Sequence, residues 1–176
     1  MEDKLLFYSS FFVILITMKD IYKYLDDLNI SYKKYEHEAV FTVEEAKKAR
    51  IDFEATDTKN LFLRNKKKTN YYLVVLDAHK PIKFSKLQKL LNENKLSFAS
   101  PEDLMKYLSV TPGSVSPFTL INNEDRNVNV IIDNDLIKNN KIGFHPNINT
   151  ATLVISSNDF KKFLDSCDNK VSFINL

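Results

Sequence analysis

The sequence predicts a single domain of mixed α/β (α+β) class that is built on a mixed sheet. Short apolar runs typical of strands alternate with segments in which apolar residues recur at helical spacing. The connections are short, and neither an internal repeat nor a long linker interrupts them. The chain has 176 residues, of which 44% are hydrophobic, so it is long enough to bury one core.

The N-terminal part of the domain is predicted to contain two helices around one strand. Apolar residues recur at helical spacing in residues 19–29, and residues 30–36 alternate as a strand does. Thr42 and Glu45 form the sequence pattern of a capping box, which predicts a second helix that ends near Arg50.

The remaining elements follow one another closely. In the middle of the chain we predict a strand at 61–63, a basic hairpin loop at 64–70, a buried strand at 71–76, a helix at 84–91, an extended segment at 96–98 and a helix capped by Ser100. After that we predict paired strands at 118–121 and 128–132, a helical turn capped by Asp133, strands at 141–144 and 151–155, a helix capped by Ser157 or Asn158, and a C-terminal tail at 169–176.

Residues 1–17 form an apolar leader that we expect to lie outside the domain, which spans residues 18–168. The apolar run at 5–17 is too short to span a membrane comfortably, and acidic residues precede it, unlike in a signal peptide. Because an amphipathic helix is predicted to begin directly after Met18, we expect Met18 to be the true start. A membrane anchor is the alternative.

Charge and cysteine content exclude several classes of protein. The net charge is only +2, so any nucleic-acid-binding surface must be a local one. The single cysteine, Cys167, cannot form an internal disulfide, which is typical of a reducing compartment such as the cytosol. A zinc site would need more ligands than three scattered histidines and one cysteine, so we expect no metal.

The stretch from Thr111 to Phe118 is the most unusual in the chain. It holds one of the two glycines, Gly113, between two of the five prolines, Pro112 and Pro117. The residues between the prolines carry free N–H groups, and a stiff turn of this kind can bind an anion or a developing oxyanion. A plain Pro-Gly turn between two elements is the alternative.

The other polar candidates have plain explanations when they are taken singly. Lys59 is a solvated lysine at a strand entrance, His145 can hydrogen-bond a turn, and His37 and His79 are surface histidines. Asp77 follows a strand, but it has no partner acid and no Ser/His pair at a suggestive spacing.

Four segments together carry a resemblance to a known family. They read TKNLFL at 58–63, LSFASPE at 96–102, TPGSVSPF at 111–118, and FHPNINT at 144–150 followed by TL at 152–153. They resemble the YbaK/prolyl-tRNA synthetase-associated (insertion-domain) superfamily, and within it the free-standing Ala-tRNA(Pro) deacylases of the ProX/PrdX type. The resemblance covers residues 18–167 in order and without large gaps.

The resemblance implies a fold and an activity. The fold would be YbaK-like, with a mixed, largely antiparallel, curved sheet flanked by helices. The activity would be trans-editing, that is, hydrolysis of the ester that joins a wrong amino acid, chiefly alanine, to the 3′ end of tRNA(Pro). The implied partners are the tRNA(Pro) acceptor end and prolyl-tRNA synthetase, in the cytoplasm and without a cofactor, a membrane or DNA. The alternatives are a deacylase for cysteine or serine and a non-catalytic sensor of aminoacyl-tRNA or of an amino acid.

The resemblance also implies roles for particular residues. The residues expected to act in catalysis are Lys59, Gly113, Ser114 and Val115. Those expected to bind the aminoacyl end are Asn60, Ser116, Pro117 and His145, and Phe41 with Thr42 could converge on the same pocket. The lysines of the basic hairpin loop, Lys66, Lys67 and Lys68, are expected either to contact tRNA phosphates or only to keep the hairpin soluble.

Overall fold

A computed structural model describes residues 19–39 and 54–176. The leader at 1–17, Met18, the predicted helix at 42–50, Phe41 and Thr42 lie outside the described residues. The helices are α1 (Ile21–Asp27), α2 (Phe84–Leu90), α3 (Pro101–Leu108), a 3₁₀ helix (Pro117–Asn122), α4 (Asn134–Ile137) and α5 (Ser157–Ser166). The strands are β1 (Lys33–Glu36), β2 (Thr58–Asn65), β3 (Tyr71–Asp77), β4 (Leu96–Phe98), β5 (Val128–Asp133), β6 (Lys141–Phe144), β7 (Ala151–Ser156) and β8 (Val171–Ile174). None of the helices described is long and apolar enough to cross a membrane.

The strands form two sheets rather than one. The larger sheet has the order β4-β2-β3-β5-β8, in which β2 is antiparallel to β3 and β4, whereas β5 is parallel to both of its neighbours. The smaller sheet, β1-β7-β6, is antiparallel throughout. The predicted mixed α/β class with helices flanking mixed sheets is confirmed.

The predicted strand at 118–121 is wrong, because this segment belongs to the 3₁₀ helix. Ser116 caps that helix through its side-chain oxygen, which accepts the Phe118 N–H, and Pro117 occupies the first position. The residues that follow are buried on all sides, so an apolar run cannot distinguish a strand from a buried helical turn here. Strand β5 consequently pairs with β3 instead of with 118–121.

The C-terminal residues are part of the sheet and not a tail. Strand β8 lies within 169–176 and pairs in parallel with β5. The Leu176 N–H donates to Oδ1 of Asp133 over 3.2 Å, and Asp133 is fully buried. The connection from β5 to β8 contains α4, β6, β7 and α5, so the two paired strands are far apart in the sequence. A short window of sequence does not reveal such a pairing.

Two helix caps can be compared with their predictions. The predicted cap of α3 at Ser100 is present, and Asp103 completes a capping box in which the two side chains accept each other's backbone N–H groups. The cap of α5 is Ser156 rather than Ser157 or Asn158, because the Ser156 hydroxyl accepts the Asp159 N–H over 3.0 Å. Local chemistry therefore places helix starts to within one residue.

The two faces of the larger sheet bury separate cores. Phe62 belongs to the main core, which holds Phe118, Phe144 and the rest of the smaller sheet's inner face. The next residue, Leu63, belongs to a second core that α2 covers with Leu87. Because side chains alternate along a strand, even-numbered residues of β2 face the main core and odd-numbered residues face α2.

Candidate active site

The Gly113 turn and His145 lie against each other, although 32 residues separate them. Phe118, which follows the turn, packs edge-to-face on Phe144, which precedes the histidine, with ring centroids 5.5 Å apart. The Gly113 backbone lies close enough to the His145 ring to act on the pKa of that ring. Nearby, Asn147 Nδ2 donates to the Phe118 carbonyl over 3.4 Å. Buried aromatic packing thus brings two of the sequence-predicted segments into one site.

The turn keeps some of its N–H groups free, but not all four. Gly113 has φ +89°, a conformation that glycine adopts without the steric cost that a Cβ brings. The Ser114 N–H donates to the Thr111 carbonyl over 3.2 Å, so it is already used inside the turn. The N–H groups of Gly113, Val115 and Ser116 have no hydrogen-bond partner within residues 19–39 and 54–176. Three donors, rather than four, can therefore serve an anionic oxygen.

His37 is a member of this site that the sequence analysis assigned to the surface. Its ring is half-buried, with its centroid 5.9 Å from that of His145. Its Nε2 lies 3.1 Å from the hydroxyl of Thr152, and its Nδ1 lies 2.8 Å from the Glu38 carbonyl oxygen. The pairing of β1 with β7 creates this contact, and no local sequence signal reveals that pairing.

His145 is held in its neutral form at physiological pH. The pKa of His145 is lowered to about 4, chiefly by burial and also by the charge of the neighbouring His37, while the Gly113 backbone opposes the shift. A neutral imidazole offers one donor and one acceptor, whereas an imidazolium offers two donors. His145 can therefore orient a polar substrate group without introducing a positive charge.

Asp57 is a second titratable group that sequence reasoning missed. It lies one residue before β2, where burial raises its carboxyl pKa, while a hydrogen bond from the Thr58 N–H and the charge of His79 work in the opposite direction. His37 also contributes to lowering that pKa, so the carboxyl lies within electrostatic range of the histidine pair. A partly buried carboxyl with a raised pKa and histidines within electrostatic range is a candidate for proton transfer.

Lys59 and Asn60, which we expected in one pocket, lie on opposite faces of the larger sheet. Lys59 pairs with Leu76 on the α2 face, and its ammonium group donates to the carbonyls of Ala78 and Lys80 in the turn after β3. Asn60 pairs with Val75 on the main-core face, where its buried Oδ1 has no partner among the described residues.

One edge of β2 is open along the first half of the strand. Strand β4 pairs only with positions 63–65 of β2, so within residues 19–39 and 54–176 no strand pairs with positions 58–62 on that side. Just before β2, Thr56 forms a parallel bridge with Ile142 of β6. The Thr58 hydroxyl donates to the Gly143 carbonyl over 2.8 Å, which ties this edge to β6 just before His145.

The basic hairpin tip follows the C-terminal end of β2, whereas Lys59 and Asn60 lie near the start of that strand. Lys66, Lys67 and Lys68 are all exposed in the connection between β2 and β3. The Lys66 N–H donates to the Lys95 carbonyl over 3.2 Å, which places the tip beside the start of β4. Phosphate contacts at this tip would be electrostatic and outside the aminoacyl pocket.

Comparison with known proteins assigns the family to which this fold and site belong. The family model described as "Aminoacyl-tRNA editing domain" matches residues 37–163, and the chain belongs to that family. It is 43% identical over 154 residues to the prolyl-tRNA editing protein ProX of Acetoanaerobium sticklandii, covering 86% of this chain and 93% of that protein. It is also 33% identical over 144 residues to prolyl-tRNA synthetase associated domain-containing protein 1 of Mus musculus, covering 80% and 85%. The resemblance inferred from the four segments is confirmed.

Solved structures with the same fold are more distant in sequence. A crystal structure presented as a candidate trans-editing enzyme for prolyl tRNA synthetase superposes with a TM-score of 0.60 at 18% identity, covering 82% of this chain and 87% of that one. The crystal structure of hypothetical protein APE2540 gives a TM-score of 0.66 at 16% identity, covering 87% and 97%. These likenesses confirm the fold alone.

Proposed function

We propose that this protein is a trans-editing aminoacyl-tRNA deacylase that hydrolyses the ester of mischarged Ala-tRNA(Pro) in the cytoplasm. The observation that carries the proposal is the joining of the Gly113 turn to a neutral His145 at the open edge of β2, in a chain of the aminoacyl-tRNA editing family. A water molecule attacks the ester carbonyl carbon and the bond to the ribose oxygen breaks. That oxygen takes up the proton, and alanine and the tRNA are the products.

The turn supplies the electrostatic part of catalysis. The N–H groups of Gly113, Val115 and Ser116 are free to stabilise the developing oxyanion, and one such donor lowers the barrier by roughly 3 kcal/mol. Ser114 contributes to the shape of the turn because its own N–H is engaged with Thr111. The ribose hydroxyl next to the ester assists in placing the water, so the enzyme does not need a strongly basic side chain.

Lys59 and Asn60 hold the two sides of the aminoacylated adenosine. The Lys59 ammonium group donates hydrogen bonds to two backbone carbonyls. In this proposal it reorients to bind the terminal phosphate or the ester carbonyl. The unpaired Oδ1 of Asn60 can accept the α-ammonium group of the amino acid. His145 and Pro117 shape the pocket, and Phe41 and Thr42 complete it in our proposal.

A small pocket explains the need for a separate editing protein. A synthetase pocket that fits proline discriminates against smaller amino acids by only about 1–3 kcal/mol for each missing methylene. A hydrolytic site that admits alanine and excludes proline removes the resulting error. In this proposal Lys66, Lys67 and Lys68 contact phosphates of the tRNA(Pro) acceptor end, and prolyl-tRNA synthetase delivers the substrate.

Deacylation of a panel of mischarged tRNAs tests the proposal. We expect the purified protein to hydrolyse Ala-tRNA(Pro) and to leave Pro-tRNA(Pro) intact, and we expect Lys59→Ala to abolish turnover. Lys138→Ala is the matched control, because Lys138 is an exposed lysine at the end of α4. Faster turnover of Cys- or Ser-tRNA(Pro) would favour a different amino acid, and tRNA binding without turnover of any substrate would favour a sensor.

A further inference from the structure

Positive charge is concentrated in the part of the chain that forms β2, β3, α2 and β4. Residues 59–100 hold ten lysine and arginine residues against two acidic ones, so this segment carries +8 in a chain whose total is +2. Within the part of the chain that the structure describes, only Arg64 and Lys80 of these ten form salt bridges. The other eight cations remain available to an anionic partner.

An aromatic pair lies within this basic segment. Phe98 on β4 is 60% exposed, and its ring packs edge-to-face against Phe84 at the start of α2, with centroids 5.7 Å apart. Much of the apolar surface of this ring is therefore in contact with solvent and available for stacking. Phe84 is partly buried against the second core, so one side of the Phe98 ring packs on a residue that is itself held in place.

Lysines border the aromatic pair on several sides. Lys83 directly precedes Phe84 at the start of α2, and Lys86 follows it within the helix. Both lysine side chains are exposed. Lys95 precedes β4, where its carbonyl accepts the N–H of Lys66 from the hairpin tip. Surfaces that bind other proteins are depleted in lysine at their centres, whereas surfaces that bind single-stranded nucleic acid combine a basic groove with aromatic side chains.

The pair lies on the same face of the sheet as Lys59. Phe98 is paired with Leu63, which faces α2 as Lys59 does, and Leu61 lies between them on that face. Four residues of strand separate Lys59 from Leu63, which is on the order of 13 Å. A few unpaired nucleotides span that distance, so an ester held at the open edge of β2 leaves the preceding bases near Phe98.

We propose that Phe98, supported by Phe84, is a stacking platform for an unpaired base near the 3′ end of the bound tRNA. The ring provides the stacking surface, and the neighbouring lysines neutralise the phosphates on either side of that base. This inference rests on the proposed function, since it takes tRNA as the ligand. It adds a specific subsite outside the aminoacyl pocket and outside the hairpin tip.

Binding of uncharged tRNA tests the platform separately from catalysis. The probes are a tRNA(Pro) transcript with its complete 3′ end and the same transcript without its unpaired 3′ nucleotides. We expect Phe98→Ala to weaken binding of the complete transcript by about 5- to 100-fold and to leave binding of the shortened one unchanged. Phe98→Trp should bind as the wild type does, whereas Phe98→Leu should behave like Phe98→Ala.

Phe173→Ala is the matched control, because Phe173 is 44% exposed on β8 at the opposite edge of the same sheet. It should bind both transcripts normally, and circular dichroism should show that each variant is folded. The inference would be overturned if Phe98→Ala and the wild type bound the complete transcript equally well. It would also be overturned if Phe98→Ala lost the same affinity for both transcripts, or if the wild type did not bind tRNA. Normal tRNA binding without deacylation would count against the proposed function alone and would leave the platform standing.

Discussion

The rings of His37 and His145 lie with their centroids 5.9 Å apart, and each ring has a different second neighbour. His37 contacts Thr152 on β7, while His145 contacts the backbone of Gly113. The pair therefore links the smaller sheet to the turn that carries the free N–H groups. Burial and the neighbouring His37 both disfavour a positive charge on His145.

The pH dependence of stability should carry the signature of His145. The histidine pKa is about 6.5 in an unfolded chain and about 4 in the folded one, so between these values the unfolded state binds more protons. The free energy of unfolding should therefore fall as the pH drops from 6.5 to 4, with up to about 3 kcal/mol from this residue. Urea denaturation at several pH values measures the effect.

The comparison for that experiment is His145→Asn, which should remove most of this slope, with His79→Asn as a control because His79 is exposed. Parallel pH profiles for the wild type and His145→Asn would show that His145 titrates normally in the folded protein.

Backbone conformation at Gly113 should matter more than the neighbouring hydroxyl. A β-branched residue at φ +89° costs roughly 1–3 kcal/mol or displaces the turn, so Gly113→Val should lower kcat/KM by about 100-fold or more. Ser114→Ala keeps the N–H bond to Thr111 and should reduce kcat/KM by only a few-fold. Single-turnover deacylation of Ala-tRNA(Pro) measures both, and the reverse order would identify the Ser114 hydroxyl as a reacting group.

Thr152 should position His37. Thr152→Val keeps the side-chain shape and removes the hydroxyl that lies 3.1 Å from His37 Nε2, a loss of about 1 kcal/mol for a typical hydrogen bond. We expect kcat to fall by roughly 5-fold with little change in KM, and Thr152→Ser to restore it. An unchanged kcat in Thr152→Val would show that the contact between Thr152 and His37 has no part in turnover, even if the substitution changes stability.

Lys80 should stabilise the turn that holds Lys59. Its ammonium group lies 2.7 Å from the fully buried carboxylate of Asp133 and 2.7 Å from Asp135. Lys80→Met leaves Asp133 without its cation and should lower the free energy of unfolding by about 3–5 kcal/mol. Lys138→Met, which removes a largely exposed partner of Asp135, should change it by less than about 1 kcal/mol. Similar losses for both variants in urea denaturation would contradict this account.

Features that depend on neighbours in the chain were predictable from the sequence alone. The capping box of Ser100 and Asp103 joins residues three apart, and the turn at Gly113 follows from residue types that restrict or permit backbone angles. The four family segments and most helix and strand positions also follow from patterns that a short window contains. The family assignment is part of what the sequence itself carries.

Tertiary structure alone decided which of these segments meet and which face each residue takes. His37 and Thr152 are 115 positions apart and meet only because β1 pairs with β7. Lys59 and Asn60 are adjacent, yet the alternation of β2 separates them once that strand is placed between two cores. The physical reason is that long-range pairing and burial depend on the whole set of packed surfaces, whereas caps and turns depend on hydrogen bonds within a few residues.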